Sequence, residues 1–122
     1  MITKRQVLGQ MVLCKGCCCG RTDCGLPEVP VERIKEIWQQ EKLNRSIQLS
    51  VSGCLGPCDV PNVVLLITPE GAEWFGRIVG DVAYDQLIQW ARECHMARAL
   101  VPLPESLVQN HLTRFAPQEV IA

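Results

Sequence analysis

Five of the eight cysteines in this chain lie within the eleven residues from Cys14 to Cys24, and two more return in Gly53-Cys54-Leu55-Gly56-Pro57-Cys58. Sulfur is a soft ligand that holds iron or zinc well, and an iron-sulfur or metal site needs thiolates converging from separate loops, because one short segment rarely supplies them all. Two cysteine-rich loops far apart in sequence meet that need only if the fold closes around them. This requirement constrains the chain more than any other feature.

The chain has 122 residues, the size of one domain, enough to bury a core without help from disulfides. Twelve basic residues oppose thirteen acidic ones, for a formal net charge of −1, and neither sign forms a long run. Nucleic acid and membrane surfaces are therefore not expected partners. No stretch approaches the roughly 18 apolar residues of a membrane span, and the apolar part of Met1 to Gly9 is too short and broken for a signal-peptide core. The expected location is cytoplasmic, where thiols stay reduced and cysteine clusters mean metal or redox chemistry rather than cross-links.

Local patterns place the two loops between regular elements. Val7 to Leu13 reads as a strand delivering Cys14 at its end, and Cys14 to Val29 is a long loop punctuated by Gly16, Gly20, Gly25 and Pro27. A loop of that length in a small domain is usually functional. Pro30 suits a first helical turn, after which Val31, Ile34, Ile37 and Trp38 share one face of a helix ending near Leu43 or Asn44. Ile47, Leu49 and Val51 alternate with polar residues as in a half-buried strand that leads to Gly53 and Cys54. A hairpin follows, from Val63-Val64-Leu65-Leu66-Ile67 through Pro69-Glu70-Gly71 to a strand over Trp74 to Val79. Asp81 is the expected N-cap of a second helix whose inner face carries Tyr84, Leu87, Ile88, Ala91 and Cys94. After Pro102 and Pro104, a short amphipathic stretch around Leu107, Val108, Leu112 and Phe115 predicts a tail helix. The order is that of a small α/β domain with helices against a mixed sheet.

The segments Ser52-Gly53-Cys54-Leu55-Gly56-Pro57-Cys58, Pro61-Asn62-Val63-Val64-Leu65-Leu66 and Pro69-Glu70-Gly71-Ala72-Glu73-Trp74-Phe75-Gly76 resemble the second half of thioredoxin-like 2Fe-2S ferredoxins. The same half is similar to the small iron-sulfur subunit of NADH dehydrogenases. The resemblance covers roughly residues 7 to 97. It implies a thioredoxin-like α/β fold, with a small mixed four-stranded sheet packed with two main helices, plus the C-terminal helical tail. It thus implies a ferredoxin domain over 1–99 and an extension over 100–122. It also implies one 2Fe-2S cluster on two cysteines from each loop. The respiratory branch of the family selects Cys14 and Cys19 alongside Cys54 and Cys58, whereas a branch with a longer first spacing selects Cys24, and Cys18 is a further substitute for Cys19.

The remaining candidates carry plainer readings. Cys94 on an apolar helix face is a small buried side chain, and Cys17 and Cys18 are spare thiols beside the cluster, alternative ligands, or part of a second soft-metal site. His95 and His111 are surface or packing residues, and Trp38, Trp74 and Trp90 belong to packing rather than to an electron path. Asp59, Glu73 and Arg77 are solvated charges. Gly16, Gly20, Gly53 and Gly56 are the expected sources of amide N–H groups aimed at cluster sulfurs.

Three functions compete at this level. The first is a non-enzymatic electron carrier that docks on a reductase or an electron-accepting enzyme, with a homodimer expected from the resemblance. The second is a cysteine-rich protein that binds or delivers zinc or another soft metal. The third is a thiol-disulfide enzyme using the C-x2-C spacing of Cys14 and Cys17.

Overall fold

A computed structural model describes residues 1–118 of the chain. Strand β1 (Gly9–Cys14) is apolar on both sides, and Met11, Val12 and Leu13 are all buried, as befits a strand in the middle of a sheet. A long loop, containing a 3₁₀ turn at Thr22–Cys24, leads to helix α1 (Val31–Glu41), which buries Val31, Ile34 and Trp38 and leaves Ile37 half-buried. The helix stops where Lys42 takes a left-handed conformation at φ 56°, two residues short of the boundary expected from periodicity, and a 3₁₀ turn at Leu43–Arg45 then buries Leu43. The Trp38 indole N–H donates to the Ile47 carbonyl at 2.7 Å, so the largest side chain of α1 is pinned to the first residue of strand β2 (Ile47–Ser52).

Strands β3 (Val64–Thr68) and β4 (Gly71–Phe75) form a hairpin in which Thr68 faces Gly71 across Pro69 and Glu70. Strand β4 therefore lies three residues earlier than its expected start at Trp74 and ends before Gly76. The tight turn fixes its first residue, and Arg77 at φ 54° breaks the extended run beyond. Helix α2 (Asp81–Ala97) buries all five residues expected on its inner face and adds Trp90. Asp81 is its first helical residue rather than its cap, and Gly80 occupies the cap position without a side-chain bond. Two ion pairs on the surface, Arg33 with Asp85 at 2.8 Å and Arg92 with Glu41 at 2.7 Å, set α1 and α2 side by side. Each contributes about 0–1 kcal/mol.

The sheet order is β2-β1-β3-β4-β5, with β1 parallel to β2 and the remaining pairs antiparallel. A β-α-β unit followed by a β-hairpin and a helix, with the first strand inside the sheet, is the thioredoxin-like arrangement. Where four strands were expected, the described residues form five, because the C-terminal segment contributes β5 (His111–Leu112), which pairs with Trp74 and Phe75 of β4. The anticipated tail helix is only a 3₁₀ turn at Glu105–Asn110. Its start is confined by Pro104, and the open edge of β4 offers backbone partners that a helix would forgo. The segment is tied to the body at several points: Trp90 donates its indole N–H to Val101 at 2.7 Å, Leu107 is fully buried, and the Asn110 amide bridges the carbonyls of Gly76 and Arg77 at 3.1 Å each. No helix among the described residues is long and apolar enough to cross a membrane.

Candidate metal centre

Topology assembles the cysteines. Because β1 and β2 are parallel neighbours, their C-terminal ends coincide, with Cys14 facing Ser52, and the loops after both strands leave from one end of the sheet. The antiparallel β3 begins at that same end, where the Cys14 N–H donates to the Val63 carbonyl at 3.1 Å. Open α/β sheets bind ligands at such an end, where loops diverge from paired strands.

The first loop sorts its thiols by a tight turn. Gly16 and Cys19 exchange both backbone hydrogen bonds, at 2.9 and 3.0 Å, leaving Cys17 and Cys18 at the tip and folding Cys19 back beside Cys14. Cys17 takes φ 52°, a left-handed conformation that is unfavourable for a side chain bearing Cβ. Cys14 and Cys19 are each 2% exposed, whereas Cys17 is exposed. The Cys14 thiol donates to the Gly53 carbonyl at 3.6 Å, and the Val63 N–H donates to the Cys19 sulfur at 3.4 Å.

In the second loop the sulfurs of Cys54 and Cys58 are 3.0 Å apart, and Cys58 reaches the Cys17 sulfur at 3.6 Å. Cys17 and Cys18 are 4.0 Å apart, and the sulfurs of Cys17, Cys18 and Cys58 all lie within 4.8 Å of one another. Hydrogen bonding from Cys58 and from the Gly56 N–H, with the Arg114 charge a lesser cause, holds the Cys54 thiol below its ordinary range. Sharing that proton with Cys54 pushes Cys58 up to about 12. The first proton therefore leaves this pair easily and the second only with difficulty.

Asn62 joins the loops. It is fully buried, its Oδ1 accepts the Gly20 N–H at 3.0 Å, and its amide donates to the Glu28 carbonyl at 2.9 Å. It thus staples both ends of the stretch after Cys19 to the start of β3. Of the four glycines expected to direct N–H groups at sulfur, Gly56 contributes to lowering the Cys54 thiol. Gly16 and Gly20 spend theirs on Cys19 O and Asn62 Oδ1. The donor to Cys19 is Val63, which the sequence did not single out.

The other candidates fall outside the group. Cys24 is exposed and accepts from the Arg21 Nη2 at 3.4 Å, with Arg21 also forked onto Asp23. Cys94 is fully buried on α2. His95 meets the Ser46 hydroxyl through Nδ1 at 2.7 Å, and the exposed His111 sits edge-on to Phe75 at 5.7 Å. Trp38 and Trp90 are packing residues, but Trp74 has a second neighbourhood with the Arg114 guanidinium 5.3 Å from its ring centroid. Arg114 lies some sixty residues from the cysteine loop it touches, so no local pattern singles it out.

The fold and the site define a thioredoxin-like domain that gathers thiols from two loops at one end of its sheet. No protein-family model and no curated protein matches the chain. Among solved structures it is similar to the wild-type thioredoxin-like 2Fe-2S ferredoxin from Aquifex aeolicus, at 17% identity and a TM-score of 0.48, over 89% of this chain and 100% of that one. A cysteine-to-serine variant of the same ferredoxin is similar at 11% identity and a TM-score of 0.47, over 87% and 99% of the respective chains.

The burial pattern yields an expected labelling order for the reduced, metal-free protein. Iodoacetamide near pH 8 is expected to modify the exposed Cys54 first, while Cys19 and Cys94 react slower by on the order of a hundredfold or more, since each must wait for an opening of the fold. Desolvation, with Cys14 beside it, pushes Cys19 up to about 12 from 9.0. The fold thus favours its protonated form. That contribution to stability is whole below pH 9 and disappears as the pH climbs from 9 toward 12. Mass mapping of the labelled thiols checks the order, and rapid labelling of Cys19 would contradict this burial.

Proposed function

We propose that this protein is an electron carrier holding one 2Fe-2S cluster on Cys14, Cys19, Cys54 and Cys58. What supports this reading is that the two loops carrying these thiol pairs leave the same end of β1 and β2, with the Cys14 sulfur at the Gly53 carbonyl of the second loop and the Val63 N–H on the Cys19 sulfur. Two pairs suit two irons, and amide donors to sulfur favour the reduced, more negative state. When bound, a 2Fe-2S cluster supplies a one-electron couple.

The residues of the chain then have distinct roles. Cys14 and Cys19 offer thiolates from buried positions, the exposed Cys54 and half-buried Cys58 offer theirs where an incoming redox partner can approach, and Asn62 holds the loops in register. With all four ligands from protein, no position is left open for a substrate, so bond-making catalysis is not part of this reading. The redox partner is a reductase or electron-accepting enzyme, the setting is cytoplasmic, the carrier is a homodimer, and residues 1–99 form the ferredoxin domain with 100–122 as its extension.

A second reading has its own support. The sulfurs of Cys17, Cys18 and Cys58, with Cys54 adjacent, form a compact set that suits zinc or a soft monovalent metal. Iron and acid-labile sulfide analysis of anaerobically purified protein separates the two readings, as does its visible colour. The double variant C17S/C18S sharpens the contrast. It is expected to keep iron, sulfide and the reddish-brown spectrum at near wild-type levels; loss of metal by more than about tenfold would instead favour the second site. The thiol-disulfide reading ranks last, because the Cys14 sulfur turns to Gly53 while that of Cys17 faces Cys18 and Cys58.

A further inference from the structure

We infer that Arg114, delivered by the C-terminal segment, is a positioning residue of the cysteine centre that clamps the 53–58 loop and lends it a positive charge. This rests on the reading of the thiols as a redox centre and extends it to a segment about sixty residues away in sequence.

The geometry is specific at both ends of the clamp. Gly56 sits at φ 121°, and a methyl group placed on it would come within 2.5 Å of Arg114 Nη2 and 3.3 Å of Cζ. The guanidinium therefore occupies the space that any side chain at position 56 would fill. On its other side it lies 5.3 Å from the Trp74 ring centroid and 5.8 Å from that of Phe115, and these two rings meet edge-on at 6.1 Å. A planar guanidinium between an aromatic face and a glycine backbone is a geometry that lysine cannot reproduce.

The placement of Arg114 is no accident of a loose tail. β5 is hydrogen-bonded to β4 with Leu112 opposite Trp74, and the backbones of Gly76 and Asn110 are joined at 2.9 Å. Asn110 also ties down Gly76 and Arg77 through its side chain, and Arg77 in turn donates its N–H to Val60, just beyond Cys58. The segment thus holds the cysteine loop from two directions, by Arg114 at Gly56 and by Asn110 through Arg77 at Val60.

The energetic sense follows from charge. Reduction adds an electron beside Cys54 and Cys58, and a fixed cation on their loop favours that state, which raises the midpoint potential. Removing the cation lowers it. Removing the clamp frees a loop whose internal ties are the Cys58 N–H to Gly56 O at 2.8 Å and the Val60 N–H to Pro57 O at 3.3 Å.

The test compares the wild type with R114Q and R114K, loaded with iron and sulfide, by redox titration and by hydrogen exchange over residues 53–60. R114Q is expected to shift the midpoint potential negative and to speed exchange of the loop amides several-fold. R114K is expected to restore most of the potential while the loop still exchanges faster than in the wild type. An unshifted potential in R114Q overturns the inference, because a purely structural latch would move exchange alone. If the wild type builds no cluster, the redox reading fails by itself, and unchanged loop exchange in R114Q then overturns the clamp independently.

Discussion

The double variant C54S/C58S is expected to lose its iron and its visible absorption entirely, with bound metal falling by more than about tenfold. Serine keeps the size of the side chain but replaces a soft thiolate by a hard, weakly acidic oxygen, which iron-sulfur and soft-metal sites do not accept readily. Both substitutions are needed for an unambiguous result. The Cys17 sulfur lies 3.6 Å from that of Cys58 and is poised to stand in for it, so C58S alone is expected to alter the spectrum as well as weaken it. Without either second-loop thiol, the five cysteines of the first loop would have to hold the metal alone. Cys24 is turned to Arg21, and Cys14 and Cys19 supply only two of the four thiolates that the cluster needs. C94S is the control. Its thiol is fully buried on α2, so serine there costs about 1–3 kcal/mol of stability and leaves the absorption spectrum unchanged. Iron analysis, sulfide analysis and a visible spectrum on each variant decide the matter; a C54S/C58S protein with wild-type colour would refute the assignment of the second loop.

Asn62→Ala is expected to be strongly destabilising. Two backbone groups depend on its side chain, the Gly20 N–H and the Glu28 carbonyl, and the residue is fully buried. Truncation leaves the first without an acceptor and the second without its donor. Unmade hydrogen bonds of this kind cost about 1–3 kcal/mol each, so the loss is about 2–6 kcal/mol, a large part of the roughly 5–15 kcal/mol that holds a typical domain folded. The effect is directional, because both bonds restrain the stretch between Cys19 and α1. Cluster release from N62A is therefore expected to accelerate beyond what global destabilisation explains. N62D separates the contributions: it retains an acceptor for Gly20, loses the donor to Glu28 and buries a charge. Denaturant midpoints for the three proteins, set beside their rates of iron loss to a chelator, make the comparison; equal stability in N62A and the wild type would show that water replaces both bonds.

Where the local pattern was strong, the elements were legible in the residues. The alternation of Ile47, Leu49 and Val51 marked β2 as a strand, although only Ile47 is buried and Val51 is exposed, and the spacing of Tyr84, Leu87, Ile88, Ala91 and Cys94 marked the inner face of α2. These regularities reflect the period at which a strand or helix turns its side chains toward a core. The errors fall where a partner, not a pattern, decides. Strand β4 was displaced because its start is set by the turn opposite Thr68, and the C-terminal stretch became a 3₁₀ turn and a two-residue strand because the edge of β4 was available to it. Trp74 was readable as an aromatic on a strand but not as the platform for Arg114.

The site divides in the same way. Seven of the eight cysteines stood out by their density and by the glycines among them, although the structure leaves Cys24 apart on Arg21. Their inequality was not recognisable: it takes the exchange of backbone bonds between Gly16 and Cys19 to bury Cys14 and Cys19 and to leave Cys17 and Cys18 at the tip.

The residues by themselves determined that soft-metal chemistry would be available and that two loops, each following a strand, would carry it, since ligand type and strand periodicity are local properties. Only the tertiary structure decided which sulfurs meet. That outcome depends on β1 and β2 lying parallel so that both loops emerge together, on Asn62 stapling the first loop to β3, and on β5 pairing that carries Arg114 to Gly56. Each joins residues about forty or more positions apart, where the entropy of closing the chain is repaid only by the assembled core and no local preference can announce the contact.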